Sequence, residues 1–107
     1  MKREAFKAWL IEQKIYSSQK QVTDCVSRVG RAENALMEKM GSCADFDKQF
    51  TLDGGKNIKL LVSRRGTTPG MKELGHVNLP IGSNQMDSIA AAVKKYFSFC
   101  AADAQRS

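Results

Sequence analysis

Apolar residues recur along this chain with the three-four spacing of helices, not the alternation of strands. Between Arg3 and about Lys14, Phe6, Trp9, Leu10 and Gln13 fall on one side, while Lys2, Arg3, Lys7 and Glu12 are left for solvent. This predicts a first helix. In the following stretch, KIYSSQKQVTDCVSRV, Ser18 stands three residues before Gln21. That is the spacing of a capping box, in which hydroxyl and amide satisfy backbone donors that no helical carbonyl reaches. Beyond it Val22, Cys25, Val26, Val29, Ala32, Leu36, Met37 and Met40 keep the rhythm up to Gly41, a natural C-terminal cap. The predicted second helix carries Lys20, Asp24, Arg28, Arg31 and Glu38 on its opposite face.

Asp45 opens a shorter helical pattern through Phe46, Phe50 and Leu52, which the pair Gly54 and Gly55 ends. In NIKLLVSRR, residues 57 to 65, Ile58, Leu61 and Val62 share one side and Lys59, Arg64 and Arg65 point elsewhere. The pattern reads as a helix, although KLLV fits a strand as well. Residues 66–82 hold four glycines and both prolines, a composition that breaks regular structure and predicts a long loop. Ser83 or Asn84 then caps a last helix, with Met86, Ile89, Ala90, Val93, Phe97 and Cys100 as its buried stripe. Residues 102–107 are expected to fray. The expected fold is one all-α domain over residues 1–107, a compact bundle of four to five helices.

Composition adds a partner class. The chain has 107 residues, the size of a single domain, and 42% hydrophobic residues, enough for a core. Seventeen basic against eleven acidic residues give a formal net charge of +6, which favours an anionic partner. From Lys56 to Lys72 the basic residues Lys56, Lys59, Arg64, Arg65 and Lys72 occur without an acidic one. A solvated surface explains such a run, and so does nucleic acid; an anionic membrane fits less well, because the aromatic and leucine-rich face of an interfacial helix is missing. No apolar run approaches the roughly 20 residues that cross a bilayer, and the N-terminus lacks a secretion pattern.

Catalytic signatures are absent. Cys25, Cys43 and Cys100 are odd in number, widely spaced and accompanied by one histidine, His76, so zinc-ligand spacing is missing. Cysteines on apolar helix faces act as small hydrophobes and suit a reducing cytoplasm. His76 sits in the glycine-rich segment without an evident acid or base partner, and the glycines match no phosphate-binding or dinucleotide fingerprint. The expectation is a non-enzymatic protein without metal or cofactor.

The order of elements, together with FKAWLIEQKIYSSQKQVTDCVSRV and the closing IAAAVKKYFSFC, resembles the N-terminal core-binding domain of phage-type integrases, the tyrosine recombinases. Those stretches span about a third of the chain. The resemblance implies a SAM-like bundle that grips one side of duplex DNA. It further implies that the N-terminal parts of the second and last long helices make the contacts, here Ser17, Ser18, Lys20, Gln21, Asn84, Gln85 and Ser88. Charge adds Arg28, Arg31, Lys59, Arg64 and Arg65. The expected function is therefore non-catalytic binding of double-stranded DNA, chiefly through phosphates. In recombinases a catalytic domain follows this bundle, whereas the present sequence ends at Ser107. The expectations are an excised part of a recombinase or a module of a restriction or defence system, and the leading alternative function is a helical module that docks another protein or a second copy.

Overall fold

The computed structural model describes residues 1–62 and 77–106. Its elements are α1 Arg3–Glu12, α2 Gln19–Met40, a 3-10 turn Gly41–Ala44, α3 Phe46–Asp53, α4 Lys56–Leu61 and α5 Asn84–Arg106. No strand occurs among the described residues, which form an all-α bundle of five helices. Lys59, Leu60 and Leu61 are helical and Val62 is the C-cap of α4, and Ile58, Leu61 and Val62 are buried as the pattern predicts.

Local chemistry explains where the helices start and stop. The N–H of Gln21 donates to Ser18 Oγ over 3.2 Å, and Gln21 Oε1 accepts from Ser18 N–H over 3.3 Å, which completes the predicted capping box of α2. Asp45 caps α3 by accepting from the N–H groups of Asp47 and Lys48. Gly54 ends that helix at φ 71°, and Gly55 follows at φ 80°. A methyl group on Gly55 would lie 2.6 Å from Cγ of Phe97, so the turn into α4 needs glycine for space as well as for conformation.

The two long helices form the spine. Val22, Cys25, Val26, Val29, Ala32 and Leu36 of α2 are buried, as are Met86, Ile89, Ala90, Val93, Phe97 and Cys100 of α5. The α5 stripe is broader than predicted, because Tyr96 and Phe99 are buried too. They gather the aromatic side chains of the other helices: Phe6 meets Tyr96 edge-on at 5.1 Å between ring centroids and Phe99 at 5.6 Å, and Phe46 meets Phe97 at 5.4 Å.

A polar junction lies under this cluster. Glu33, 7% exposed, accepts from the N–H of Phe46 over 3.0 Å. Its two oxygens also face the Met1 ammonium at 3.3 and 3.2 Å. The Tyr96 hydroxyl accepts from the Lys2 N–H over 2.9 Å and donates to Asp47. The starts of α1 and α3 are thereby tied to the middle of α2 and to α5.

Several boundaries and faces differ from the sequence reading. Helix α1 stops at Glu12, short of Lys14, which takes a left-handed φ of 54°; Gln13 is exposed and not part of the apolar stripe. Leu52 is 76% exposed, because the short α3 turns only Phe46, Gln49 and part of Phe50 inward. Where fraying is expected over 102–107, α5 continues to Arg106, with the helix-forming Ala102 and Ala104 and a 3.2 Å ion pair between Lys2 and Asp103 along it; Ser107 lies outside the described residues. Of the loop predicted over 66–82, the described end is not merely connective, since Val77 and Leu79 are buried in the core. Arg64, Arg65, Lys72 and His76 lie outside the described residues.

Truncation should separate these faces. Phe6→Ala or Leu36→Ala is expected to cost about 2 to 5 kcal/mol in denaturant unfolding, and Leu52→Ala within about 0.5 kcal/mol of nothing. Ser18→Ala should cost about 0.5 to 2 kcal/mol through loss of the cap.

Candidate nucleic-acid interface

Three exposed arginines converge on one side of the bundle. Helical periodicity places Lys20, Asp24, Ser27, Arg28, Arg31, Asn34 and Glu38 along one stripe of α2. Across from its middle stands the first turn and a half of α5. Arg28 and Arg31 join Gln85, Ser88 and Ile89 around a depression of about 260 Å³. Arg31 also lines a neighbouring depression of about 420 Å³, shared with Arg3, Ser27, Gly30, Asn34, Ala35, Glu38 and Asn78. The two hollows share Arg31, and hydroxyl and amide side chains together with the carboxylate of Glu38 stand among the guanidinium groups.

None of the three arginines makes an ion pair among the described residues. Two lysines are committed elsewhere. Lys2 is paired with Asp103, whose hydrogen bond and charge hold its amine above its ordinary value. Lys95 lies 5.6 Å from the centre of the Tyr16 ring, a cation–π geometry. Guanidinium groups without an ion pair suit phosphate, which they can bind through two parallel N–H donors.

Of the residues expected from sequence to contact DNA, Arg28, Arg31, Gln85 and Ser88 are brought together. Ser17, Ser18 and Gln21 are not part of this surface. Ser17 and Ser18 line a different hollow with Ile11, Lys14, Tyr16, Gln19 and Val22. Their polar groups are used internally: Gln21 Oε1 accepts from Ser17 N–H, Ser17 Oγ and Ser18 N–H. The capping reading of the two serines accounts for their geometry without a ligand. Lys20 is exposed one turn below Asp24 on the arginine stripe of α2. Asn84 is exposed at the first position of α5, Lys59 stands on α4 away from both arginine hollows, and Arg64 and Arg65 lie outside the described residues.

Sequence reasoning left out Arg3, which it assigned only to the solvent side of α1. A signal was available in Gly30. Glycine inside a long helix costs about 1 kcal/mol relative to alanine, so its presence there calls for a reason in packing. A methyl carbon on Gly30 would lie 2.8 Å from Cζ and from Nη1 of Arg3 and closer still to Nη2. The arginine head therefore rests against bare helix backbone.

The thiols and phenols are built for packing, not reactivity. Burial raises the Cys25 thiol and pushes Cys100 up to about 11. Burial, reinforced by a hydrogen bond to Cys25, pushes the Tyr16 phenol up to about 12. Among the described residues no group of histidine, cysteine or acidic side chains is arranged to hold a metal ion, and no helix is long and apolar enough to cross a membrane. No protein-family model, curated protein or solved structure matches the chain.

Each of these raised groups stabilises the fold while protonated, so the benefit is complete below its ordinary value and disappears as pH climbs through the raised one. For Cys100 that window runs from 9.0 to about 11, and for Tyr16 from 10.0 to about 12. The melting temperature should accordingly fall as pH rises from 9 towards 12, and Cys25 and Cys100 should resist alkylation at neutral pH until the chain unfolds.

Proposed function

We propose that this protein is a non-catalytic module that binds double-stranded DNA through its phosphates. The observation that carries the reading is the convergence of Arg28 and Arg31 of α2 with Gln85 and Ser88 of α5 around one hollow, with no carboxylate paired to either arginine among the described residues. Arginine forks supply affinity, while the amide and hydroxyl side chains beside them can fix register on the backbone. The resemblance to the core-binding domain of tyrosine recombinases supports this face only through the beginning of the last helix, Gln85 and Ser88, since the Ser17 and Ser18 contacts it also implies lie at another hollow. A site-specific recombinase is on this reading the parent activity, and its reaction belongs to residues other than those of this bundle. The buried thiols suit action in the reducing cytoplasm.

A protein-docking module is the second reading, favoured by Leu52 and Leu60, which stand 76% and 60% exposed on the short helices. The two readings separate in a salt titration. If the first holds, duplex affinity falls with salt, with a slope of about 0.9 per phosphate neutralised. Arg28→Ala and Arg31→Ala should each lower that slope by about 1 without shifting the melting temperature, and Lys59→Ala should change it less. Binding indifferent to salt, or absent at low salt, removes the DNA reading and leaves the docking reading in place.

A further inference from the structure

We infer that Arg3, Gly30 and Arg31 form a cradle that seats a single phosphate of the polyanion, with Gly30 as the positioning residue that lets the Arg3 guanidinium lie against α2. The inference rests on the nucleic-acid reading for its ligand class, but its geometry stands separately. Arg3 comes from α1 and Arg31 from α2, and both line the same hollow with Ser27 and Asn34. At Gly30 the absence of a side chain leaves room for the guanidinium where a methyl carbon would come within 2.8 Å of Cζ. Gly30 is itself buried, so the arginine head covers it. Neither guanidinium is in an ion pair among the described residues, so both forks keep donors for an oxyanion.

The hollow is asymmetric. Glu38 lines it too. It sits seven residues beyond Arg31 on α2, about 10 Å along the helix axis. Its carboxylate repels an anion from that end and leaves the Ser27 end as the favourable seat, where a hydroxyl donor joins the two guanidinium groups. A phosphate there stands beside the Arg28, Gln85 and Ser88 hollow through the shared Arg31, so one strand can cross both depressions.

The test compares variants by fluorescence anisotropy with a short duplex at low salt, beside their melting curves. Arg3→Ala should weaken binding about three- to tenfold and lower the salt slope by about 1. Arg3→Lys should recover only part of the loss, because a point charge does not replace a fork laid flat. Gly30→Ala is the sharper probe. It leaves net charge unchanged and improves helix propensity, so the melting temperature should hold or rise while affinity falls by the displacement of Arg3. Glu38→Gln should strengthen binding. If Arg28→Ala weakens binding but Arg3→Ala and Gly30→Ala bind like the parent, the cradle is overturned and the DNA reading survives. If Gly30→Ala does not fold, the two Arg3 variants decide in the same way. If the parent binds no duplex, the DNA reading falls. The cradle is then judged with tripolyphosphate: a saturable shift of the Arg3 side-chain N–H resonance that Gly30→Ala abolishes supports it, and no shift overturns it.

Discussion

A carboxylate in the core dictates how this bundle is assembled. Glu33 lies in the middle of α2 among Ala32, Ala35 and Leu36, all buried, and a charge placed there must be compensated. Removing the partner of such a buried group costs about 3 to 5 kcal/mol, so the partners are held firmly. Glu33 has two: the otherwise orphaned first N–H of α3 at Phe46 and the ammonium at Met1. One side chain thus joins the start of α3, which Asp45 caps, and the start of α1 to the middle of α2. Tyr96 repeats the device from α5, holding Lys2 N–H and Asp47 with its single hydroxyl.

The consequence reaches the surface. With Met1 fixed on Glu33, Arg3 falls beside Gly30, one turn earlier on α2 and next to Arg31. The long helices run antiparallel: the charge of Lys95 reaches Cys25, while Gln85 and Ser88 stand by Arg28 and Arg31. The first turns of α5 therefore meet the cationic middle of α2 and not its start. The basic face is a by-product of core geometry, built by the helix register that the buried carboxylate and the apolar seam impose together.

Much of this was legible in the sequence, and the remainder was hidden for identifiable reasons. Apolar periodicity located the helices, and the Ser18 to Gln21 spacing gave the capping box, because both signals depend only on local geometry. The same reading passed over Glu33 and Tyr96, since an acid and a phenol count as polar positions until tertiary partners make burial tolerable. It extended the apolar pattern to Leu52 because a helix of eight residues has too few turns to define its inward face. It let the last residues fray, although an ion pair from the far end of the chain supports them. Charge counting pointed to Arg28 and Arg31 but gave no way to join them to Gln85 and Ser88, or to see that Ser17 and Ser18 belong to another hollow.

The net charge of +6 does not by itself locate a basic face; the fold does, by bringing Arg3, Arg28 and Arg31 to one side of the bundle. Lys2 is paired with Asp103, and Lys95 is laid over Tyr16, so the charge of each is partly offset by a neighbour. Arg3, Arg28 and Arg31 are exposed and free of ion pairs among the described residues, and guanidinium is the cation whose rigid fork best matches an oxyanion. Gly30 gives up helix propensity and contributes no side chain to the core. What the glycine provides is a fixed place for a third arginine beside the other two. That local loss of helix stability accompanies the close approach of the Arg3 head to the backbone of α2.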